Sequence, residues 1–136
     1  MTSALRAGLA YFALVFTIGF LLGTFRVLVV IPRLGDTGAV LLELPVMLAL
    51  SWFACVWLTR RFAVPPAVRE RLVMGGVAFA LLMLGEIGVT IFGFGRTVAE
   101  HFAGYQAMGA QLGLAAQVCF ALMPFADAAV RSATTP

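Results

Sequence analysis

Three ionisable residues, Arg26, Glu43 and Glu86, stand within or at the edge of long apolar stretches of this sequence. A charged side chain at membrane depth costs roughly 2.5–3.5 kcal/mol on insertion scales, so such residues are usually paired or functional. The carboxylates could take up protons or bind a cation, and the guanidinium could neutralise either of them. These three side chains form the candidate charge cluster, whose position depends on the elements that hold it.

Four apolar stretches take up nearly all of the chain. Hydrophobic residues make up 62% of the sequence and charged residues 11%, against roughly 45–50% and 25% in soluble domains. Because a spanning helix needs about 20 residues, four spans with short loops nearly exhaust the length. We predict an all-α, integral membrane four-helix bundle, a single transmembrane domain over residues 1–136, with spans at about 7–25 (or 7–31), 39–58, 72–94 and 105–126.

The basic residues are all arginines, and they are distributed unequally between the two ends of the predicted spans. One end holds six of them: Arg6, Arg60, Arg61, Arg69, Arg71 and Arg131. The other end holds Arg33, Arg96 and Arg26. Positively charged loops stay in the cytoplasm, so the sequence predicts a multi-pass protein of the bacterial inner membrane with both termini cytoplasmic.

This orientation places the three buried charges at similar depth. Arg26 lies near the outer end of the first span, and Glu43 lies about one turn below the outer surface in the second. Glu86 lies deepest, about 12 Å below the outer end of the third span at 1.5 Å per residue. Opposite charges at similar depth on adjacent helices are the arrangement expected of a buried ion pair.

Three interpretations of this cluster remain open at the level of sequence. Arg26 bonds Glu43, Glu86 or both, and so fixes the packing of the helices. Alternatively, one glutamate titrates and carries protons or binds a cationic substrate; Glu86 is the better candidate because desolvation disfavours its charged form most. In the third interpretation, Arg26 and Glu43 extend to the outer headgroups.

Two pairs of glycines have the spacing of membrane helix-packing motifs. Gly19 and Gly23 form a GxxxG pattern on the face of the first span that also holds Arg26. Gly109 and Gly113 form a second such pattern in the fourth span. Small residues at this spacing allow the backbones of two helices to approach closely, so we predict that all four glycines pack against neighbouring helices.

The sequence contains no motif of a known catalytic or cofactor site. HExxH, GxSxG, Walker and CxxCH motifs are absent, and one histidine cannot supply a pair of haem ligands. We therefore predict no enzyme activity, no cofactor and no metal. The arginines flank apolar spans, so we expect them to contact lipid headgroups and not nucleic acid.

Several segments resemble those of a known group of proteins: Arg6-Ala-Gly-Leu, Gly19-Phe-Leu-Leu-Gly23-Thr-Phe-Arg26, Pro32-Arg33, Glu43-Leu-Pro45, Arg60-Arg61-Phe62 and Ala121-Leu-Met-Pro124. Together they resemble small, uncharacterised bacterial inner-membrane proteins with four predicted spans. The resemblance implies the same fold and location, and it implies no catalytic or ligand residue. The chain differs from small multidrug resistance transporters, whose essential glutamate lies in the first span.

Two functions follow as hypotheses. The first is a structural or accessory membrane subunit that packs as a homo-oligomer or within a larger membrane complex. The alternative is a small proton-coupled transporter or channel-like oligomer that uses Glu86. In both cases the expected surroundings are membrane lipids.

Overall fold

The computed structural model describes residues 1–134, and all regular secondary structure in that part of the chain is helical. The α-helices follow in chain order: α1 Thr2–Phe25, α2 Ile31–Arg61, α3 Val68–Gly88, α4 Val98–Ala103 and α5 Met108–Thr134. Two π-helical segments extend α1 and α3: Arg26–Val30 and Val89–Gly93. A short 3-10 turn, Gly104–Gln106, leads into α5.

Three helical runs are long and apolar enough to cross a membrane: Thr2–Arg61, Val68–Gly93 and Met108–Ala133. The first contains 60 residues, far more than the roughly 20 that one crossing needs. It is interrupted at Gly35, whose φ of 72° and ψ of 172° are not helical. Glycine adopts this positive φ without the steric cost that a Cβ atom would bring.

The two parts of the first run fold back on each other near Gly35. The Nε atom of Arg26 lies 3.1 Å from Oε2 of Glu43, although these residues would be about 25 Å apart in one continuous helix. Gly19 likewise lies against the side chain of Met47. The turn predicted at residues 32–38 is therefore sharper than expected: only Gly35 leaves the helix, and Pro32 occupies the first turn of α2, where its missing N–H is tolerated.

The later helices begin and end at different residues from the predicted spans. Helix α3 begins at Val68, which shortens the loop that was expected to continue to Arg71. Helix α5 begins at Met108 and continues to Thr134. Asp127 and Arg131 follow the predicted end of the fourth span at about residue 126. They lie inside α5, where Asp127 is 4% exposed.

The connection between the predicted third and fourth spans, at residues 95–104, contains helix α4. Its N-terminus has a capping box: the backbone N–H of Thr97 donates to Oε2 of Glu100 at 2.7 Å, and the Glu100 N–H donates to Oγ1 of Thr97 at 3.2 Å. The bonds from Thr97 hold the pKa of the exposed Glu100 carboxyl below its ordinary value. This stabilisation is present above the pKa of unfolded Glu100 and is lost as the pH falls through the lowered folded pKa.

Most of the buried apolar side chains lie in the half of the bundle that contains Met1 and the last described turn of α5. The ring of Tyr11 stacks on that of Phe120 with centroids 4.2 Å apart. The Tyr11 hydroxyl donates to the backbone carbonyl of Phe120 at 3.2 Å. Around them lie other buried side chains: Ala4, Ala7, Cys55, Leu58, Met74 and Ala78. Helices α1, α2, α3 and α5 therefore close this half of the bundle.

Of the four glycines predicted to pack against neighbouring helices, two do so and two do not. A Cβ atom at Gly19 would lie 3.2 Å from Cε of Met47, and one at Gly109 would lie 2.7 Å from Oδ2 of Asp36. Gly23 and Gly113 have no other heavy atom within 4 Å of that position. Both of them line a cavity, so they provide space at the positions where helix contact was expected.

Candidate functional site

A cavity of about 590 Å³ lies in the half of the bundle away from the termini, between α1, α2, α3 and α5. Ligand sites commonly have volumes of roughly 300–1,000 Å³. Its walls are largely apolar and include several phenylalanines. The polar side chains on them are Thr24, Arg26, Glu43, Ser51, Glu86, Thr90, His101 and Gln117.

All three residues of the predicted charge cluster line this one cavity. Arg26 is the first residue of the first π segment. Glu43 lies in α2, shortly before Pro45 within the same helix. Glu86 lies near the end of α3. Three separate elements therefore bring the ionisable side chains of the apolar stretches to the same space.

Arg26 and Glu43 form an ion pair that is partly open. Their Nε and Oε2 atoms are 3.1 Å apart, and 30% and 19% of the two side chains are exposed. The atoms are close enough for charge pairing but lack the alignment of an N–H···O hydrogen bond. Both residues also line a shallow groove of about 160 Å³ between α1 and α2. The pair therefore lies between the cavity and this groove.

Glu86 has a different partner. The side-chain amide of Gln117 on α5 donates from Nε2 to Oε1 of Glu86. No cationic side chain of residues 1–134 lies within ion-pairing distance of Glu86, so the possible direct bond from Arg26 is not formed. The Oε1 atom of Gln117 is buried without a hydrogen-bond partner. An amide is a suitable partner for either state of a carboxyl group, because its nitrogen donates and its oxygen accepts.

Both π segments contribute to the cavity wall. Arg26, Val27 and Leu28 come from the first, and Val89 and Thr90 come from the second. Single π-helical turns interrupt the regular α-helical hydrogen bonds and are frequent at functional sites. Their occurrence on two helices at the same cavity is a second, independent indication that this region is functional.

Hydrogen bonds of the His101 side chain hold helix α4 beside the cavity. The hydroxyl of Thr90 lies 2.8 Å from Nδ1 of His101, and the hydroxyl of Tyr105 lies 3.4 Å from its Nε2. His101 itself lines the cavity. The imidazole therefore links the second π segment to the connection that precedes α5.

Within the described residues, the fully buried ion pair is that of Arg71 and Asp127, which the sequence analysis did not predict. Nη1 of Arg71 lies 2.7 Å from Oδ2 of Asp127, and these side chains are 2% and 5% exposed. Arg131 bonds the other oxygen of Asp127 from Nε at 2.9 Å. Thr59 donates to Asp127 at 3.3 Å. The i, i+4 spacing of Asp127 and Arg131 was the only available sequence signal, and it did not identify Arg71.

The site can bind a charged group and transfer a proton, since it combines two carboxylates, one guanidinium and one imidazole in a mostly apolar cavity. Within residues 1–134, no three His, Cys, Asp or Glu side chains are grouped as metal ligands. None of the family models, curated proteins or solved structures compared with this chain matches it.

Proposed function

We propose that the chain is a multi-pass protein of a bacterial inner membrane and forms a four-helix bundle with both termini cytoplasmic. The break at Gly35 supports this proposal because it divides the 60-residue run into two segments, each long enough to span. Large apolar side chains on the outside also support it: Leu21, Phe53 and Phe92 are 64%, 69% and 90% exposed. Lipid is a suitable solvent for such a surface.

Reporter fusions test this topology. Alkaline phosphatase fused after the C-terminus is expected to be inactive, and a fluorescent protein at the same position is expected to fold and emit. A fusion in the connection at residues 95–97 should give the opposite result. An active phosphatase at the C-terminus would overturn the proposed orientation.

Within this bundle, we propose a small proton-coupled transporter whose cavity binds a small amphiphilic molecule. The supporting observation is the convergence of Arg26, Glu43 and Glu86 on one cavity with apolar walls. Ionisable residues inside a membrane protein commonly mark proton relays and substrate pathways.

Glu86 is the proposed proton carrier. Its neighbour Gln117 can bond either the carboxylate or, after rotation of the amide, the protonated acid. Arg26 is already neutralised by Glu43, so it does not hold Glu86 permanently in the charged state. The stacked Tyr11 and Phe120 close the bundle on the side of the termini. Transport would require this contact to open.

Replacing Glu86 by glutamine should abolish proton movement and leave the fold intact, because glutamine keeps the shape and the hydrogen bonding but binds no proton. The measurement is the uptake of protons by vesicles that contain the purified protein, under an imposed pH gradient. Flux is expected to fall to the level of empty vesicles. Glu100→Gln is the matched control, because Glu100 is exposed and lies outside the cavity.

Circular dichroism and size-exclusion chromatography of the same preparations report on folding. Wild-type flux in the Glu86→Gln protein would show that Glu86 does not carry protons. Unfolding of that variant would instead assign Glu86 to the support of the helix packing. Either result would remove the proposed transport mechanism.

A structural or accessory subunit is the second candidate. Gly76 and Gly88 on α3 favour it, because nothing lies within 4 Å of a Cβ atom built at either position and another helix could approach there. Mild extraction followed by mass spectrometry of the intact assembly separates the two candidates. A second protein at fixed stoichiometry would support the accessory role, and a homo-oligomer alone would support transport.

A further inference from the structure

The charges around the cavity do not balance. Its charged and titratable side chains are Arg26 from the first π segment, Glu43 from α2, Glu86 from α3 and His101 from α4. Arg26 pairs with Glu43. His101 is engaged by the hydroxyls of Thr90 and Tyr105. Among the described residues, Glu86 therefore has no cation within ion-pairing distance; Arg26, already paired with Glu43, and the Tyr105 hydroxyl act on it only from farther away.

An ionised carboxylate in such surroundings needs a cation. The apolar walls solvate a charge poorly, and the cost of a buried ion is recovered only by a well-placed opposite charge and hydrogen bonds. The single amide N–H donated by Gln117 supplies part of this stabilisation. A proton supplies the rest in one state of the protein, and a positively charged ligand would supply it in another.

Beside Glu86, hydrogen-bond acceptors also outnumber the donors available to them. The Oε1 atom of Gln117 has no donor in the described chain, and a carboxylate only accepts. A ligand that binds here must therefore bring N–H or O–H donors together with positive charge. A protonated amine has both, whereas a carboxylate or phosphate lacks the positive charge.

The apolar residues of the cavity wall determine what the uncharged part of the ligand can be. Phe16, Phe20, Phe94 and Phe120 line the cavity together with aliphatic side chains. Aromatic faces attract a nearby cation and also pack well against hydrocarbon or another ring. The volume of about 590 Å³ accommodates a small drug-sized molecule.

We infer that the ligand of this cavity is an amphiphilic organic amine, whose ammonium group takes the place of a proton at Glu86. Its N–H groups bond the Glu86 carboxylate and the Gln117 amide oxygen, and its apolar part lies among the phenylalanines. When Glu86 is protonated, binding of the ammonium releases that proton to solution. The inference rests on the proposed function in one respect, that the cavity binds a small amphiphile.

Three probes with the same skeleton test the inference: phenylbutylammonium, phenylbutanol and phenylbutyrate. Each is titrated calorimetrically into the protein in zwitterionic nanodiscs, with empty nanodiscs as the blank. The ammonium probe is expected to bind about thirtyfold or more tightly than the alcohol, the ratio typical of a buried charge pair. Titration in two buffers of different ionisation enthalpy should detect proton release, which should diminish as the pH rises.

Variants test whether the preference for the amine over the alcohol depends on Glu86 and Gln117. Glu86→Gln should reduce the affinity for the amine to that for the alcohol and remove the proton release. Gln117→Ala should weaken binding of the amine more than that of the alcohol. Gln111→Ala is the matched control on the same helix, because Gln111 is exposed and lies outside the cavity lining.

The outcomes distinguish this inference from the proposed function. Equal or tighter binding of the alcohol or the butyrate by the wild-type protein would overturn the amine as ligand and leave the binding cavity supported. Heats no larger than those of empty nanodiscs for all three probes would overturn both. Because the wild-type protein alone gives these results, the test does not depend on the folding of any variant.

Discussion

Replacing Asp127 by alanine is expected to lower the free energy of unfolding by about 3–5 kcal/mol, the usual cost of removing one partner from a buried ion pair. Asp127 lies between two arginines, with Nη1 of Arg71 at 2.7 Å and Nε of Arg131 at 2.9 Å. Its loss leaves the guanidinium of Arg71 buried without a counter-ion. The Arg71 side chain is only 2% exposed, so it cannot recover the lost stabilisation from solvent.

The effect should extend beyond this one contact because Arg71 also holds the loop before α3. Its Nε donates to the carbonyl of Pro65 at 3.1 Å, and its Nη2 donates to that of Val64 at 3.3 Å. Thr59 connects the same cluster to α2. The cluster thus fixes α2, α3, α5 and the loop at residues 62–67 relative to one another.

Urea unfolding in detergent micelles, followed by circular dichroism, measures the change. Arg131→Met should cost less than Asp127→Ala, because the Arg131 side chain is 36% exposed. Arg69→Met is the matched control in the first turn of α3, where Arg69 is exposed, and should stay within about 0.5 kcal/mol of wild type. A combined Arg71→Met and Asp127→Leu variant should recover much of the loss. A cost below about 1 kcal/mol for Asp127→Ala would contradict this account.

The similar depth of Arg26, Glu43 and Glu86 could be predicted from hydropathy, whereas the cavity that they line could not. Each of Arg26, Glu43 and Glu86 stands at a position fixed by the ends of its own stretch, so their shared level in the bundle is a property of the sequence. The hydrogen-bond and ion-pair partners of these side chains could not be predicted in this way. Gln117 reaches Glu86 because α5 packs against α3, and the order of helices around a bundle leaves no trace in hydropathy.

The Arg71 and Asp127 pair shows where the sequence analysis failed. Each residue lies directly outside a predicted span, at 72–94 and 105–126, so both were assigned to polar segments. Hydropathy treats a charge as the end of a span, whereas two opposite charges that pair can be buried together. The π segments also escaped prediction, because their composition does not differ from that of the adjoining α-helices.

A turn between α1 and α2 could be predicted from the sequence, but its geometry could not. Pro32, Gly35 and Gly38 indicate a turn, yet only Gly35 leaves helical geometry. Similarly, the GxxxG patterns predicted packing at Gly19, Gly23, Gly109 and Gly113, whereas the closest contact of a described glycine with a neighbouring helix is at Gly75. That glycine belongs to no GxxxG pattern, because the contact depends on the backbone of α5 and not on spacing within α3.

Gly75→Ala is therefore expected to be strongly destabilising although it adds a single methyl group. A Cβ atom at Gly75 would overlap the backbone carbonyl oxygen of Ala121 on α5. Since a backbone carbonyl cannot rotate away as a side chain can, α3 and α5 must separate. Overpacking of this kind typically costs about 1–3 kcal/mol and sometimes more. The displacement should also disturb the stack of Tyr11 on Phe120, which adjoins Ala121.

Gly76→Ala is the matched control, because it makes the same chemical change one residue further along the same helix. Gly76 is exposed, and nothing lies within 4 Å of a Cβ atom built there. Since alanine favours a helix over glycine by about 1 kcal/mol, this variant should be as stable as wild type or more so. Thermal unfolding of both variants in the same detergent gives the comparison. Equal stability of the two would mean that α3 and α5 approach less closely at Gly75 than the overlap with Ala121 implies.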